Sequence, residues 1–423
     1  MKSRGRDSAL QAARTAAVTA VDEAADNLVA LSRFIHANPE VALCEHQASA
    51  ACAEFLAARG FSIERRIAGL DTAFAASAGG GGSTVAFLAE YDALPGVGHG
   101  CGHNLIAMAA IGAGIGLAAA LRQAVCGRVI VFGTPAEEAV GGKAVMANAG
   151  VFSGVDAALG AHPGAADATC PTVEGSGRSL ACVMVRMAFH GKPAHAAADP
   201  FNGVNALNAV IEVFNGINAL RQQMTADQRI HGIITHGGDV PNVIPHFAQA
   251  EFFVRAATLA GMHTLVGRVR GIAEGAALIT GATLEFTQPE EANSDMITNY
   301  TMARRLDAHL ATVGLHMPPA QPEPGMGSTD WGNVSYVVPS VETGFPILDR
   351  LCTWHSQEVV EAAISPLGFA NTLKVAKALA LTGLDLLSDG QLMDEVKDEF
   401  RRSLLDRSAS EFSGVHAGAC ALR

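Results

Sequence analysis

Basic residues are scarce in this sequence, where 29 Lys and Arg stand against 41 Asp and Glu for a net charge of -12. Without a basic footprint, a nucleic-acid partner is excluded. Aromatics supply only 5% and charged residues 17% of the 423 positions, whereas 49% are hydrophobic, the balance of a globular chain with a large buried fraction. The eight cysteines form no CxxC pair and no regular framework. They fit buried thiols in a reducing cytoplasm better than a disulfide scaffold. The basic start MKSRGRDSALQAARTAAV lacks a cleavage site of small residues, and Arg14 and Asp22 interrupt its apolar stretch, so it reads as a helix. The most apolar run, Leu105 to Leu121, sits at the lower limit for a membrane span and contains glycines 112, 114 and 116. A helix packed against a sheet is the expectation, with no membrane partner. The glycine run 79–82 is not followed by GK[ST], and a strand rather than a helix comes next, so it reads as a flexible hairpin turn.

The length exceeds what one hydrophobic core usually serves, so two domains are expected. Helical periodicity runs over Leu10 to Ala37 and Glu45 to Arg59, and Phe61 to Ala76 looks like a pair of short strands. From Thr84 to about Gly175 strands and helices alternate, which implies an α/β domain with a mostly parallel open sheet and helices on both faces. At Ser179 the pattern changes to strand-helix-strand-strand-helix-strand, ending at Thr283 to Thr287, the order of a ferredoxin-like α+β module. The division is 1–177 for the first part of a catalytic domain, 178–292 for an inserted lid and dimerisation domain, and 293–423 for the second part. In that last part the sequence predicts a helix over Met296 to Val313, a Pro/Gly-rich loop over residues 317–326, a polar turn over Gly327 to Asp330 and a strand over Tyr336 to Glu342. Helices over Glu361 to Leu381 and Gln391 to Leu405 follow, and the last fifteen residues read as frayed.

The chain is organised around AEYDALPGVGHGCGHNLIA, which places Asp92, His99, Cys101 and His103 directly after the apolar strand Thr84 to Ala89. Glu137 and Glu138 follow a second apolar run, Arg128 to Gly133, and His162 follows a third, Asp156 to Gly160. Groups at the carboxyl ends of neighbouring strands converge on one crevice in an open α/β sheet. A lone CxH reads as a buried thiol beside a structural histidine, but with acids and His162 at other strand ends it reads as a site for zinc or a similar divalent ion. Adjacent acids point in different directions, so one of the Glu137-Glu138 pair can bind metal while the other holds water as a general base. His355 gains weight only from this set. In the inserted module, His195 is a candidate for the face toward the crevice, Asn242 and Arg255 belong to the same module, and the planar fork of Arg255 suits a substrate carboxylate.

Taken in order, EYDALPGVGHGCGHN, GTPAEEAVGGK, GAHPG, GKPAHAAADPFNGVNAL, VPNVIP, GSTDWGNVS and TWHSQE resemble the aminoacylase and carboxypeptidase-type dinuclear metallohydrolases. Within them the chain is similar to the amidohydrolase branch that contains p-aminobenzoyl-glutamate hydrolase. The resemblance implies one or two divalent ions per subunit, Mn or Zn, held by Cys101, His103, Glu138, His162 and His355, with Glu137 as general base and Asp92 orienting a ligand. It also implies that His195 and Asn242 reach a neighbouring subunit's site in a homodimer or higher oligomer and stabilise negative charge developing there. Glu90-Tyr91-Asp92 departs from the HxD motif of the peptidase relatives, and Glu342-Thr343 stands where relatives often have His-Pro. The activity implied is metal-dependent hydrolysis of a C–N bond in a small substrate carrying a carboxylate. Hydrolytic deamination of 5-nitroanthranilate is the specific expectation. The alternatives are cleavage of N-acyl amino acids, aryl-amides or dipeptides, and a catalytically silent binding protein.

Overall fold

The computed structural model describes residues 2–123, 125–322 and 327–419, with side chains between Ser8 and Arg407. The chain forms two compact units. The first runs to Arg178 and takes up the chain again from Met296 and from Asp330, and the second spans Ser179–Asp295 together with residues 327–329.

The first unit opens with α1 (Lys2–Glu23), α2 (Ala25–Ala37) and α3 (His46–Ala57), so the periodicity read as one helix to Ala37 is broken at Ala24. β1 (Ser62–Arg65), β2 (Phe74–Gly80), β3 (Thr84–Ala89), α4 (His103–Leu121), β4 (Gly127–Gly133), α5 (Gly142–Asn148) and β5 (Ala157–Gly164) follow.

The six strands lie in the order β1-β2-β4-β3-β5-β10, where β10 is Ser340–Pro346. β4, β3, β5 and β10 are mutually parallel, while β2 runs antiparallel to its two neighbours, β1 and β4. β4 lies between β2 and β3, so the glycine turn 79–82 joins strands that do not pair and closes no hairpin. β3 leads through α4 to β4 on one side, and β4 then leads to β5 on the other side of β3. That reversal of strand order opens a crevice beyond the carboxyl end of β3, where the motif-bearing loop begins.

Every residue of β3 is buried, as parallel strands covered on both faces require. α4 is the one helix among the described residues long and apolar enough to cross a membrane, and 94% of it is buried inside the fold. Its glycines have a packing reason. A Cβ on Gly112 or Gly116 would stand 2.9 Å from the Cβ of Ala376 or Ala380, so their absence lets the backbone of α4 lie close against the later helix 366–388.

The second unit contains β6 (Ala181–His190), α6 (Ala206–Leu220), β7 (Arg229–His236), β8 (Phe247–Ala256), α7 (Leu259–Thr280) and β9 (Thr283–Thr287). Its sheet, ordered β7-β8-β6-β9, is antiparallel throughout, which is the ferredoxin-like arrangement. Val213, Ile217, Leu265 and Val269 of the helices pack with Val185, Phe252 and Val254 of the sheet in a core of their own.

In the returning segment α8 is Tyr300–Thr312, four residues shorter at its start than the periodicity predicts, because the Asn299 side chain accepts from Met302 N and caps it there. α9 (Trp331–Ser335) occupies residues just after the polar turn, and β10 starts at Ser340 rather than Tyr336. α10 (Gln357–Ala362) and α11 (Pro366–Ser388) divide what reads as one helix from Glu361, since Ser365 accepts from Gly368 N ahead of Pro366. α12 extends over Gly390–Ala419, so the tail read as frayed is helical to that point. Residues 323–326 of the Pro/Gly-rich loop and 420–423 lie outside the described residues.

Candidate metal centre

The loop after β3 descends into the core, so that Glu90, Tyr91 and Asp92 are all buried. Asp92 has two partners there. Its Oδ2 accepts from Glu138 N at 2.9 Å, and its Oδ1 faces His103 Nδ1 at 3.0 Å. Burial works against the Asp92 charge, but His103, the Glu138 N–H and Lys143 together hold the carboxyl below its ordinary value. A carboxylate at Nδ1 keeps the ring proton there and leaves the Nε2 lone pair for the opposite side.

His103 Nε2 is buried and has no hydrogen-bond partner. It points at Glu138 Oε1, 3.8 Å away and likewise buried and unpartnered, and at Glu137 Oε2, 4.0 Å away. The two glutamates reach this point because Ala136 adopts a left-handed φ of 63° after the end of β4. Glu45 fixes that turn, accepting from Ala136 N through Oε1 at 2.9 Å and from Thr72 Oγ1 through Oε2 at 2.8 Å. Burial, with Glu90 and Asp330 nearby, raises the Glu137 carboxyl well above its ordinary value.

Cys101 and His162 close the next side, with Sγ 3.4 Å from Nε2. His162 donates from Nδ1 to Pro163 O at 2.7 Å, which leaves Nε2 without a proton. It lies inside β5 rather than after it, since the strand continues to Gly164. Trp354 Nε1 donates to Cys101 Sγ at 3.4 Å, and burial pushes the thiol up to about 12. A thiolate forms there only beside a cation. His355, also at a left-handed φ of 60°, brings Nε2 to 3.6 Å from Glu138 Oε1 and is half exposed. His99 turns away from this set and pairs through Nε2 with Ile35 O at 3.1 Å.

Three overlapping trios, Cys101–His103–His162, Cys101–Glu138–His355 and His103–Glu137–Glu138, each hold their ligand atoms within 4.8 Å of one another. Facing orphan atoms in a buried setting need a cation, and a set of thiolate, imidazole and carboxylate suits a borderline divalent ion. The residues fit a metal centre.

His195, Asn242 and Arg255 belong to the second unit. His195 Nδ1 accepts from Ala197 N and Ala198 N at 3.2 and 3.1 Å, which leaves Nε2 as the donor nitrogen of the exposed ring. Asn242 is its neighbour through the bond from Ala196 N to Asn242 O. Arg255 donates from Nη1 to Ser328 Oγ at 2.8 Å, and among the described residues no carboxylate pairs with it.

Sequence reasoning passed over Glu45, Lys143 and Asp330. Lys143 offered a signal, as the lone charge in AVGGKAVMANAG, and its Nζ contacts Glu90 Oε1 at 2.9 Å and Asp330 Oδ1 at shorter range. Glu45 offered none, being one acid among several near a helix start.

Comparison with known proteins places residues 178–279 in a peptidase dimerisation domain. Over 413 residues the chain is 37% identical to the Xaa-Arg dipeptidase of Mus musculus, covering 93% of this chain and 94% of that one. It is 35% identical over 289 residues to one of the subunits of p-aminobenzoyl-glutamate hydrolase from Escherichia coli K12, covering 64% and 58%. Among solved structures it resembles a dinuclear metal-binding peptidase of the M20 family from Bacillus subtilis, with a TM-score of 0.60 at 22% identity over 84% of this chain and 98% of that one.

Proposed function

The chain belongs to the M20 family of metal-dependent peptidases and amidohydrolases, and on that premise we propose that it hydrolyses the C–N bond of a small amide bearing a carboxylate. The observation that carries this reading is the pair of facing buried atoms, His103 Nε2 and Glu138 Oε1, ringed by Cys101, His162, His355 and Glu137. Cys101, His103, Glu138, His162 and His355 would hold the divalent ions, which when bound polarise a carbonyl and lower the pKa of water toward neutrality.

Glu137 accepts the proton of the attacking water and returns it to the departing amine. Burial, with Glu90 and Asp330 nearby, raises the affinity of its carboxyl for that proton. Asp92 keeps the His103 tautomer and, through Glu138 N, the approach of the neighbouring carboxylate. His195, with its proton on Nε2, and Asn242 are the donors proposed for the negative charge that develops in a neighbouring subunit's site. Arg255, free of acidic partners among the described residues, is proposed to take the substrate carboxylate. Dipeptides and p-aminobenzoyl-glutamate, which name the relatives, are amides that carry carboxylates.

A second reading, hydrolytic deamination of 5-nitroanthranilate, draws on Glu342. Its Oε1 is buried without a hydrogen-bond partner, and burial, then Glu90, pushes its carboxyl up to about 8. A protonated carboxyl there donates to an oxygen of a nitro or carboxylate group. Assay of the metal-loaded chain separates the two. Turnover of p-aminobenzoyl-glutamate, Xaa-Arg dipeptides or acylated amino acids with none on 5-nitroanthranilate supports the amide. Ammonia and 5-nitrosalicylate from 5-nitroanthranilate support the deamination, and metal uptake without turnover of any supports a silent binding protein.

A further inference from the structure

Glu90 lies immediately after β3, between two groups that need it differently. Its Oε1 meets the ammonium of Lys143 at 2.9 Å, while its Oε2 is buried, has no hydrogen-bond partner, and stands 3.4 Å from His103 Nε2. Lys143 has no exposed surface, and it is anchored twice by Asp330, which accepts from its backbone N through Oδ2 at 2.8 Å and from its Nζ through Oδ1. The pair of atoms left over is therefore a carboxylate oxygen and an imidazole nitrogen whose proton Asp92 keeps on the far side.

No hydrogen bond joins the two atoms. A cation between them would meet the carboxylate oxygen and, with the remaining ring proton held on Nδ1 by Asp92, the Nε2 lone pair together. Bonds of about 2.0–2.2 Å to one cation set two such donors roughly 3–3.5 Å apart. The observed 3.4 Å falls in that range.

Resting on the metal-dependent reading above, we infer that Glu90 is a further carboxylate ligand of the metal centre, presented to the cation at His103 Nε2 by an ion pair with Lys143 that Asp330 holds in place. Lys143 takes up the charge on Oε1, so that Oε2 alone is turned to the cation. Asp330 fixes where Lys143 stands. Glu90 is thus a ligand, and Lys143 and Asp330 are positioning residues that act through it.

The test compares the unaltered chain with Glu90→Gln and with the triple variant Glu90→Gln, Lys143→Met, Asp330→Asn, which removes the three buried charges together and leaves neither an ammonium nor a carboxylate of the set unpaired. Affinity for Mn(II) and Co(II) is read by chelator competition, the visible spectrum of the Co(II) form reports its ligand set, and thermal melts of the metal-free proteins report folding. Both variants should bind metal about ten- to a hundredfold more weakly than the wild type. The Co(II) spectrum should change, and the triple variant should melt close to the metal-free wild type. Wild-type affinity and an unaltered Co(II) spectrum in either folded variant would overturn the inference and leave Glu90 as a packing partner of Lys143. A wild-type chain that binds no divalent ion would remove the metal-dependent reading itself, and this inference with it.

Discussion

The two sheets of this molecule use their faces in opposite ways. In the catalytic unit β3 is buried on both faces, and the charged residues sit beyond its carboxyl end, each held by a named partner. In the second unit the edge strand β7 is exposed along nearly its whole length, with Ile233 at 65% and Ile234 at 43% exposure. A parallel sheet covered on both sides concentrates polar groups at its strand ends, whereas an antiparallel sheet can leave one face for contact. The difference teaches where to look for each task. Cation binding is expected where charge is forced inward, and self-association where apolar side chains and an unpaired strand edge face out.

The sharpest way to test that division is to change one group in each region and read both metal and turnover. Glu137→Gln should lower kcat by about 10²- to 10⁴-fold while the protein keeps its metal, measured by elemental analysis beside steady-state kinetics. His195→Ala in the second unit should lower kcat by roughly 10²- to 10³-fold with metal content unchanged. Loss of metal in that variant would break the comparison.

A smaller effect is expected at Glu45, whose carboxyl burial raises from 4.5 to about 7. Between those values the folded chain holds a proton that the unfolded chain releases. Its contribution to stability is thus present in full below pH 4.5 and is lost as the pH rises through 7. The loss amounts to at most about 3 kcal/mol. Glu45→Gln keeps an acceptor for Ala136 N and removes the titration, so melts at pH 5 and pH 8 should differ less than in the wild type. The smallest effect is expected at the exposed edge, where Ile233→Glu should weaken self-association by about tenfold, seen by light scattering across a dilution series, with metal binding untouched.

Much of this was legible in sequence because the signals were local. Apolar runs that end shortly before Asp92 and Glu137 mark strand ends, and the six-element alternation after Ser179 marks the module. What escaped depended on contacts distant in the chain. Lys143 finds Asp330 across 187 residues and Glu45 finds Ala136 across 91, and no local pattern encodes either pair. Element ends slipped where a side chain overrides periodicity, as Asn299 does for α8 and Ser365 with Pro366 for α11. His162 was read as following a strand because the apolar run ends at Gly160, yet β10 continues to pair through Gly344 opposite His162.

Anomalous diffraction from a crystal of the chain loaded with Mn(II) or Zn(II) addresses the central claim most directly. The account predicts a peak within about 2–2.5 Å of His103 Nε2 and of at least two among Cys101 Sγ, Glu138, His162 Nε2 and His355. A loaded crystal with no peak among these side chains, or with its metal bound elsewhere, would contradict it.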